Sequence, residues 1–265
     1  MSGLELWWGQ TSPTAFGLLV LAAFGAGVLN AIAGGGSFLT FPALVFTGVS
    51  PIAANATSAL AVSPGYLGSV WGFRAELRAL DPKMLRREAL VAAGGGVGGA
   101  LLLLVTPAKV FAGLVPWLLL FATALFALGP RIAQLSRRTD AAGSETAGLA
   151  RWRMPGLLLV SIYGGYFNGG LGILLMALYT LTGESRIHTA NALKNYNSFV
   201  LSLLSVVAFA LAGAIAWPQA VLMMVCATAG GLAGARLARS LSAAWVRGLV
   251  IVTGVVMAAL FFWRG

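Results

Sequence analysis

Charge is the scarcest commodity in this sequence: 17 Lys and Arg with 7 Asp and Glu make up 9% of 265 residues, against roughly 25% in a soluble domain. So few ionisable groups cannot clothe a water-facing surface, which excludes an ordinary soluble enzyme and makes lipid the solvent for most of the chain. There is one cysteine, Cys226, inside an apolar run; a disulfide framework or a cysteine metal cluster within one chain is excluded, and a small buried hydrophobe is its plain reading. There is one histidine, His188, so paired imidazole ligands for zinc are excluded. No Gly-x-Ser-x-Gly nucleophile with a partnered histidine and no intramembrane aspartate pair is present, which argues against an enzyme. No cofactor motif appears: Gly94–Ala100 lacks the Gly-Lys-Ser/Thr and the preceding strand of a phosphate loop, and reads instead as small-residue helix packing. The formal charge of +10 does not point to nucleic acid, because the basic residues cluster between apolar stretches without interleaved exposed aromatics.

What is abundant is apolar sequence, 59% by count. Apolar stretches run over about 14–33, 36–48, 52–73, 88–105, 109–128, 155–168, 171–182, 188–216, 218–235 and 243–263, giving room for eight to ten membrane segments and no separate soluble domain. The first run is long for a signal-peptide core and no Lys or Arg precedes it, so no cleavable leader is expected. Two stretches, 36–48 and 171–182, span only about 18 Å as helix, where about 30 Å of hydrocarbon must be crossed. Each follows a glycine-rich break, Gly34-Gly35-Gly36 or Gly169-Gly170-Leu171-Gly172, and reads as a broken or re-entrant half-helix.

Basic residues orient the bundle. No Lys or Arg precedes Arg74; they then crowd 74–87 and 131–153, so both loops are expected in the cytoplasm and both termini on the outer side. Gly95-Gly96-Val97-Gly98-Gly99-Ala100 matches Gly230-Gly231-Leu232-Ala233-Gly234-Ala235 at an offset of 135, which also carries Gly48 to Gly183. With the charge pattern, that register gives an all-α polytopic transmembrane bundle of two inverted-topology repeats: 1–130, a cytoplasmic linker 131–153, and 154–265. Shared glycine-rich composition is the alternative source of the likeness.

Polar atoms in lipid are costly unless paired or wetted, so the polar residues inside these segments are the candidates for function. In the first half they are Asn30, Gly34, Gly35, Gly36, Ser37, Asn55, Thr57 and Ser58; in the second, Asn168, Gly170, Gly172, Asn191, Lys194, Asn195 and Ser198. A helix that starts after a glycine break offers unsatisfied N–H groups and a positive dipole end, a receptor for a small anion; a packing kink is the competing reading. Lys194 lies roughly 10 Å into its helix with no acidic residue in the segment. Either a bound anion compensates it or its stem snorkels to the interface. His188 reads as an interfacial residue before a proton relay. No carboxylate lies inside a span except near its ends, at Glu76, Glu88 and Glu184, so coupling through a buried acid is not expected.

The stretch from Asn30 to Leu44, with its Gly34-Gly35-Gly36 and Pro42, continues into Gly48-Val49-Ser50-Pro51 and Ala54-Asn55-Ala56-Thr57-Ser58-Ala59-Leu60. It resembles the first-half signature of the TauE/SafE sulfite exporter family, and Gly164–Gly172 is similar to that family's second glycine motif. The resemblance implies a bacterial inner-membrane transporter built from two related halves, exporting sulfite or an organosulfonate such as sulfoacetate. The partners expected are thus a small anion and the bilayer. A passive anion channel and a carrier of small carboxylates stay open, as does a homodimer.

Overall fold

The computed structural model describes residues 12–32, 35–141, 150–184, 186–237 and 243–264. Every regular element among them is helical: α1 (Pro13–Ile32), α2 (Ser37–Phe46), α3 (Pro51–Gly72), α4 (Arg74–Arg78), α5 (Pro82–Val105), α6 (Ala108–Ala141), α7 (Arg153–Tyr166), α8 (Leu171–Leu181), α9 (Ile187–Leu211), α10 (Trp217–Leu237) and α11 (Ala243–Arg264). The bundle is dressed for lipid. Leu21 is 73% exposed and Leu211 85%, while Asn197, Ser198, Thr57 and Glu88 are fully or almost fully buried, the reverse of a water-soluble distribution.

Five described helices are long and apolar enough to cross a bilayer: α1, α5, the first part of α6, α9 and α10. That is fewer than the eight to ten segments expected from apolar runs. The α3 helix has the length, at 22 residues, but Asn55, Thr57, Ser58, Ser63 and Ser69 dilute its apolar character. The apolar part of α11 is short, and α2 and α8 are shorter still. Several boundaries also move. The α5 helix starts at Pro82, capped by Asp81, whose carboxylate accepts from Lys83 N–H at 3.0 Å. It therefore takes in Lys83, Arg86, Arg87 and Glu88, since charged residues are good helix formers and a proline at the first turn starts the helix earlier than hydropathy suggests. For the same reason α6 continues through Arg131, Arg137 and Arg138 to Ala141, a stretch expected to be loop.

The two half-helices are real, with 10 residues in α2 and 11 in α8. Each is bracketed by glycines in the left-handed region: Gly35 (φ +91°) and Gly48 (+91°) around α2, Gly170 (+78°) and Gly183 (+95°) around α8. Only glycine enters that region without strain, so the chain can reverse at both ends of each short helix. The closing turns are alike. Gly48 N–H bonds Val45 O and Val49 N–H bonds Leu44 O; Gly183 N–H bonds Thr180 O and Glu184 N–H bonds Tyr179 O, capping the last carbonyls as a left-handed C-terminal motif does.

The most extensive helix pairs are α1 with α10 and α5 with α7, and glycine makes both. A Cβ on Gly99 of α5 would fall on the Ile162 carbonyl of α7, and one on Gly230 of α10 would fall on the Phe24 carbonyl of α1. This is close backbone packing of the kind that substitutes for the hydrophobic effect between helices in lipid. By contrast Gly94 and Gly98 face open space. Gly99→Ala is thus expected to lower the melting midpoint of the detergent-purified protein, at a cost of about 1–3 kcal/mol for overpacking, whereas Gly98→Ala should leave it unchanged or raise it slightly. Equal melting of the two variants would refute this account of the α5–α7 contact.

Candidate functional site

A cavity of about 340 Å³ opens between α1, α3, α9, α10 and the two glycine breaks. The first break contributes Gly35 and Ser37, with Asn30 beside it on α1; the second contributes Asn168, Gly170 and Gly172; α9 contributes Lys194 and Asn195. Among the described residues of this lining Lys194 is the only cationic one, and none of them is a carboxylate. Neither ion pair among the described residues involves it. Its stem passes the start of α8, since a Cβ on Gly172 would stand 3.8 Å from Lys194 Cδ. The ammonium group and a positive helix end therefore share one hollow, an arrangement that favours a bound anion.

The two breaks are finished differently. Asn30 Oδ1 accepts the Gly36 N–H at 2.8 Å, bridging the gap between α1 and α2. Asn168 Oδ1 accepts from Tyr66 Oη at 3.3 Å, tying the second break to α3. Each side-chain amide thus uses its carbonyl on the protein, leaving NH₂ donors on two amides of the same cavity. Tyr66, Ser69 and Thr228 also line it and were absent from the candidates read from sequence. Ser63-Pro64-Gly65-Tyr66 within an apolar stretch was the available signal, because a polar aromatic beside small residues marks a cavity wall.

The remaining candidates lie elsewhere. Gly36 is buried beneath Asn30. Asn55 Nδ2 donates to Tyr166 O at 3.1 Å, satisfying a carbonyl near the second break. Thr57 Oγ1 accepts from Ala216 N–H at 3.0 Å, and Ser58 shares a 2.6 Å hydrogen bond with Thr40. Asn191 Nδ2 donates to Ile187 O at 3.1 Å, and Ser198 Oγ is buried without a partner. Gly34 lies outside the described residues. His188 is exposed in the first turn of α9, which suits its interfacial reading.

A second polar cluster emerges where the sequence suggested a span end. Glu88 is fully buried, seven residues into α5. Its Oε1 pairs with the Arg153 guanidinium at 2.7 Å, and its Oε2 accepts from Tyr179 Oη and from Asn197 Nδ2, both at 2.9 Å. The expected loop arginine Arg153 is the first residue of α7, its side chain 18% exposed. Hydropathy could not show this, because both partners sit beside exposed basic residues and only the extended α5 draws Glu88 inside. The cluster ties α5, α7, α8 and α9 together. Removing one member of a buried pair costs about 3–5 kcal/mol; Glu88→Ala is therefore expected to lower the melting midpoint sharply, and Glu88→Gln, which keeps an acceptor for Asn197 and Tyr179, to lower it less. Similar melting of Glu88→Ala and the unsubstituted protein would show the cluster to be energetically idle.

A lipid-clad helical bundle with a polar, half-open cavity between two broken helices is the architecture of a multi-pass membrane transporter. The family model described as sulfite exporter TauE/SafE matches residues 19–261. The chain belongs to that family. It is 30% identical over 254 residues to the "Probable membrane transporter protein YfcA" of Escherichia coli (strain K12), covering 94% of this chain and 90% of that one. It is 28% identical to the "Probable membrane transporter protein ORF9" of Sinorhizobium sp (91% and 89% covered) and 28% identical to a "Probable membrane transporter protein" of Haemophilus influenzae (91% and 92%). No solved structure matches the chain.

Proposed function

We propose that this protein is a secondary carrier that exports a small anion, sulfite or an organosulfonate such as sulfoacetate, by alternating access between two inverted repeats. The observation that carries the anion assignment is the Lys194 ammonium in a cavity whose described lining residues include no carboxylate. An uncompensated charge at that depth is expensive, and a bound anion supplies the missing countercharge together with hydrogen-bond acceptors for the neighbouring amides. The family description agrees in naming sulfite.

Several equivalences support the repeat. An offset of 135 carries Gly35 to Gly170 and Gly48 to Gly183, all four with positive φ. The same offset brings α1–α3 onto α7–α9 and the cores of α5 and α6 onto α10 and α11. The dominant contacts are reciprocal: the first helix of each half packs on one of the equivalent helices α5 and α10 of the other, α1 on α10 and α7 on α5. With the basic loops 74–87 and 131–153 in the cytoplasm, the cavity lies on the cytoplasmic side of the breaks, the side from which an exporter loads.

Lys194→Ala is expected to abolish uptake of labelled anion by proteoliposomes while the protein stays folded and monodisperse; undiminished transport removes Lys194 from the site. A thermal-shift panel of sulfite, sulfate, sulfoacetate, taurine and simple carboxylates identifies the anion, since a ligand at 100 times its Kd adds about 2.7 kcal/mol. A shift with carboxylates alone replaces the sulfur anion in the proposal. Saturable counterflow supports a carrier, and conductance far above carrier rates makes it a channel.

A further inference from the structure

The 135-residue offset also gives the cavity a counterpart in the other half, and the contacts there are of the opposite kind. Tyr66 of α3 and Gly231 of α10 both line the cavity, and the nearest atom to a Cβ on Gly231 would be Gly27 O at 3.8 Å. Moving each by 135 residues gives Leu201 of α9 and Gly96 of α5. That pair is shut: a Cβ on Gly96 would lie 2.8 Å from Leu201 O and 2.9 Å from Leu201 Cβ. Ser205 Oγ lies 2.7 Å from Leu201 O and 2.9 Å from Gly96 O, its one proton shared between carbonyls on the two sides of the contact. One equivalent pair is thus parted by a cavity and the other is in contact, as two access states of one repeat should be.

Unpartnered polar atoms mark the same closed region independently. Among the described residues, three buried side-chain polar atoms have no hydrogen-bond partner: Ser161 Oγ on α7, and Asn197 Oδ1 and Ser198 Oγ on α9. Ser161 stands against Gly95, next to Gly96, and Ser198 lies about one turn before Leu201 on α9, while Asn197 belongs to the Glu88 cluster. A buried oxygen without a partner is costly in a static protein; it is accounted for when the site is wetted in another state. We propose that the interface between α5, α7 and α9, around Gly96, Leu201 and Ser205, is the closed half of the transport path and a second vestibule for the same anion, opening to the opposite face. The inference rests on the carrier reading with its repeated halves. Opening parts α9 from α5 at Gly96 and Ser205, while the Glu88–Asn197 bond, eight residues earlier on both helices and about 12 Å away, holds the other end as a pivot.

The test uses the full chain with Cys226→Ser as background, in right-side-out and inverted membrane vesicles, with a membrane-impermeant maleimide as probe. Ser69→Cys, on the open cavity, is expected to label from that face, and Ser205→Cys to label slowly from either. Bridging Tyr66→Cys to Gly231→Cys with a bifunctional thiol reagent closes the open side; Ser205→Cys should then label at least ten-fold faster, and only from the opposite face. Leu201→Cys, read the same way, serves if Ser205→Cys fails to fold. An unchanged Ser205→Cys rate after bridging overturns the proposal, and so does a cysteine pair that never bridges, because the open side then never closes. No substrate enters the assay, so failure of the anion assignment shows in the thermal-shift panel and failure of the second vestibule shows here.

Discussion

Backbone hydrogen bonding in lipid is the constraint on which everything else depends. A continuous helix satisfies its own N–H and C=O groups; an interrupted one leaves several of each exposed to a solvent that offers nothing in return. This chain interrupts its helices between α1 and α2 and between α7 and α8, and surrounding side chains answer several of the exposed groups. Asn30 takes the Gly36 N–H, Asn55 serves the Tyr166 carbonyl, and Tyr163 Oη serves the Gly169 carbonyl at 2.7 Å. Half-helices built this way have defined ends inside the membrane, and those ends are the polar features around which a cavity can form. The glycine brackets allow the reversal, the asparagines and tyrosines stabilise it, and the close α1–α10 and α5–α7 contacts hold the tips in place.

The same economy explains why polar residues cluster at two depths only. Around the cavity they are only partly used: Asn30 and Asn168 each have one end on the protein, and Lys194 has no ion-pair partner among the described residues. Around Glu88 the donors are consumed, with both carboxylate oxygens engaged by three different helices, and in the cluster only Asn197 Oδ1 is without a partner among the described residues. A satisfied network rigidifies and an unsatisfied one waits for a ligand. That difference separates a structural cluster from a binding one without reference to residue type, since asparagines and tyrosines occur in both.

The sequence made the bundle, the two short helices and the glycine brackets legible, because length, apolar runs and left-handed glycines are local properties. It also brought out eight of the residues that line the cavity, from Asn30 to Asn195. The polar partners of α3 were harder. Asn55, Thr57 and Ser58 share a stretch with the cavity wall, yet at 3.6 residues per turn they turn toward α2, the second break and the loop before α10. Tyr66 went unnoticed because a tyrosine in an apolar segment resembles core until its hydroxyl is seen to reach Asn168. Glu88 is hidden by its neighbours: a glutamate after Arg86-Arg87 reads as the end of a span, and only the helix start at Pro82 carries it a turn and a half further into the bundle.

In the proposed repeat, shared architecture does not require shared chemistry, and the departures are informative. At the 135 offset Lys194 corresponds to Ala59, buried at 3% exposure, and Glu88 to Met223, fully buried. A cation at both equivalent positions would place two like charges around one hollow and demand two countercharges for every closure. A single ammonium matches a single negative charge, so a loaded cavity closes near neutrality while an empty one closes around an uncompensated charge at a cost of several kcal/mol. In the proposed carrier this favours the step with anion bound over the step without it. In that carrier the labour is divided between helices, with α5, α7, α8 and α9 held together at Glu88 and the remaining helices free to move past them.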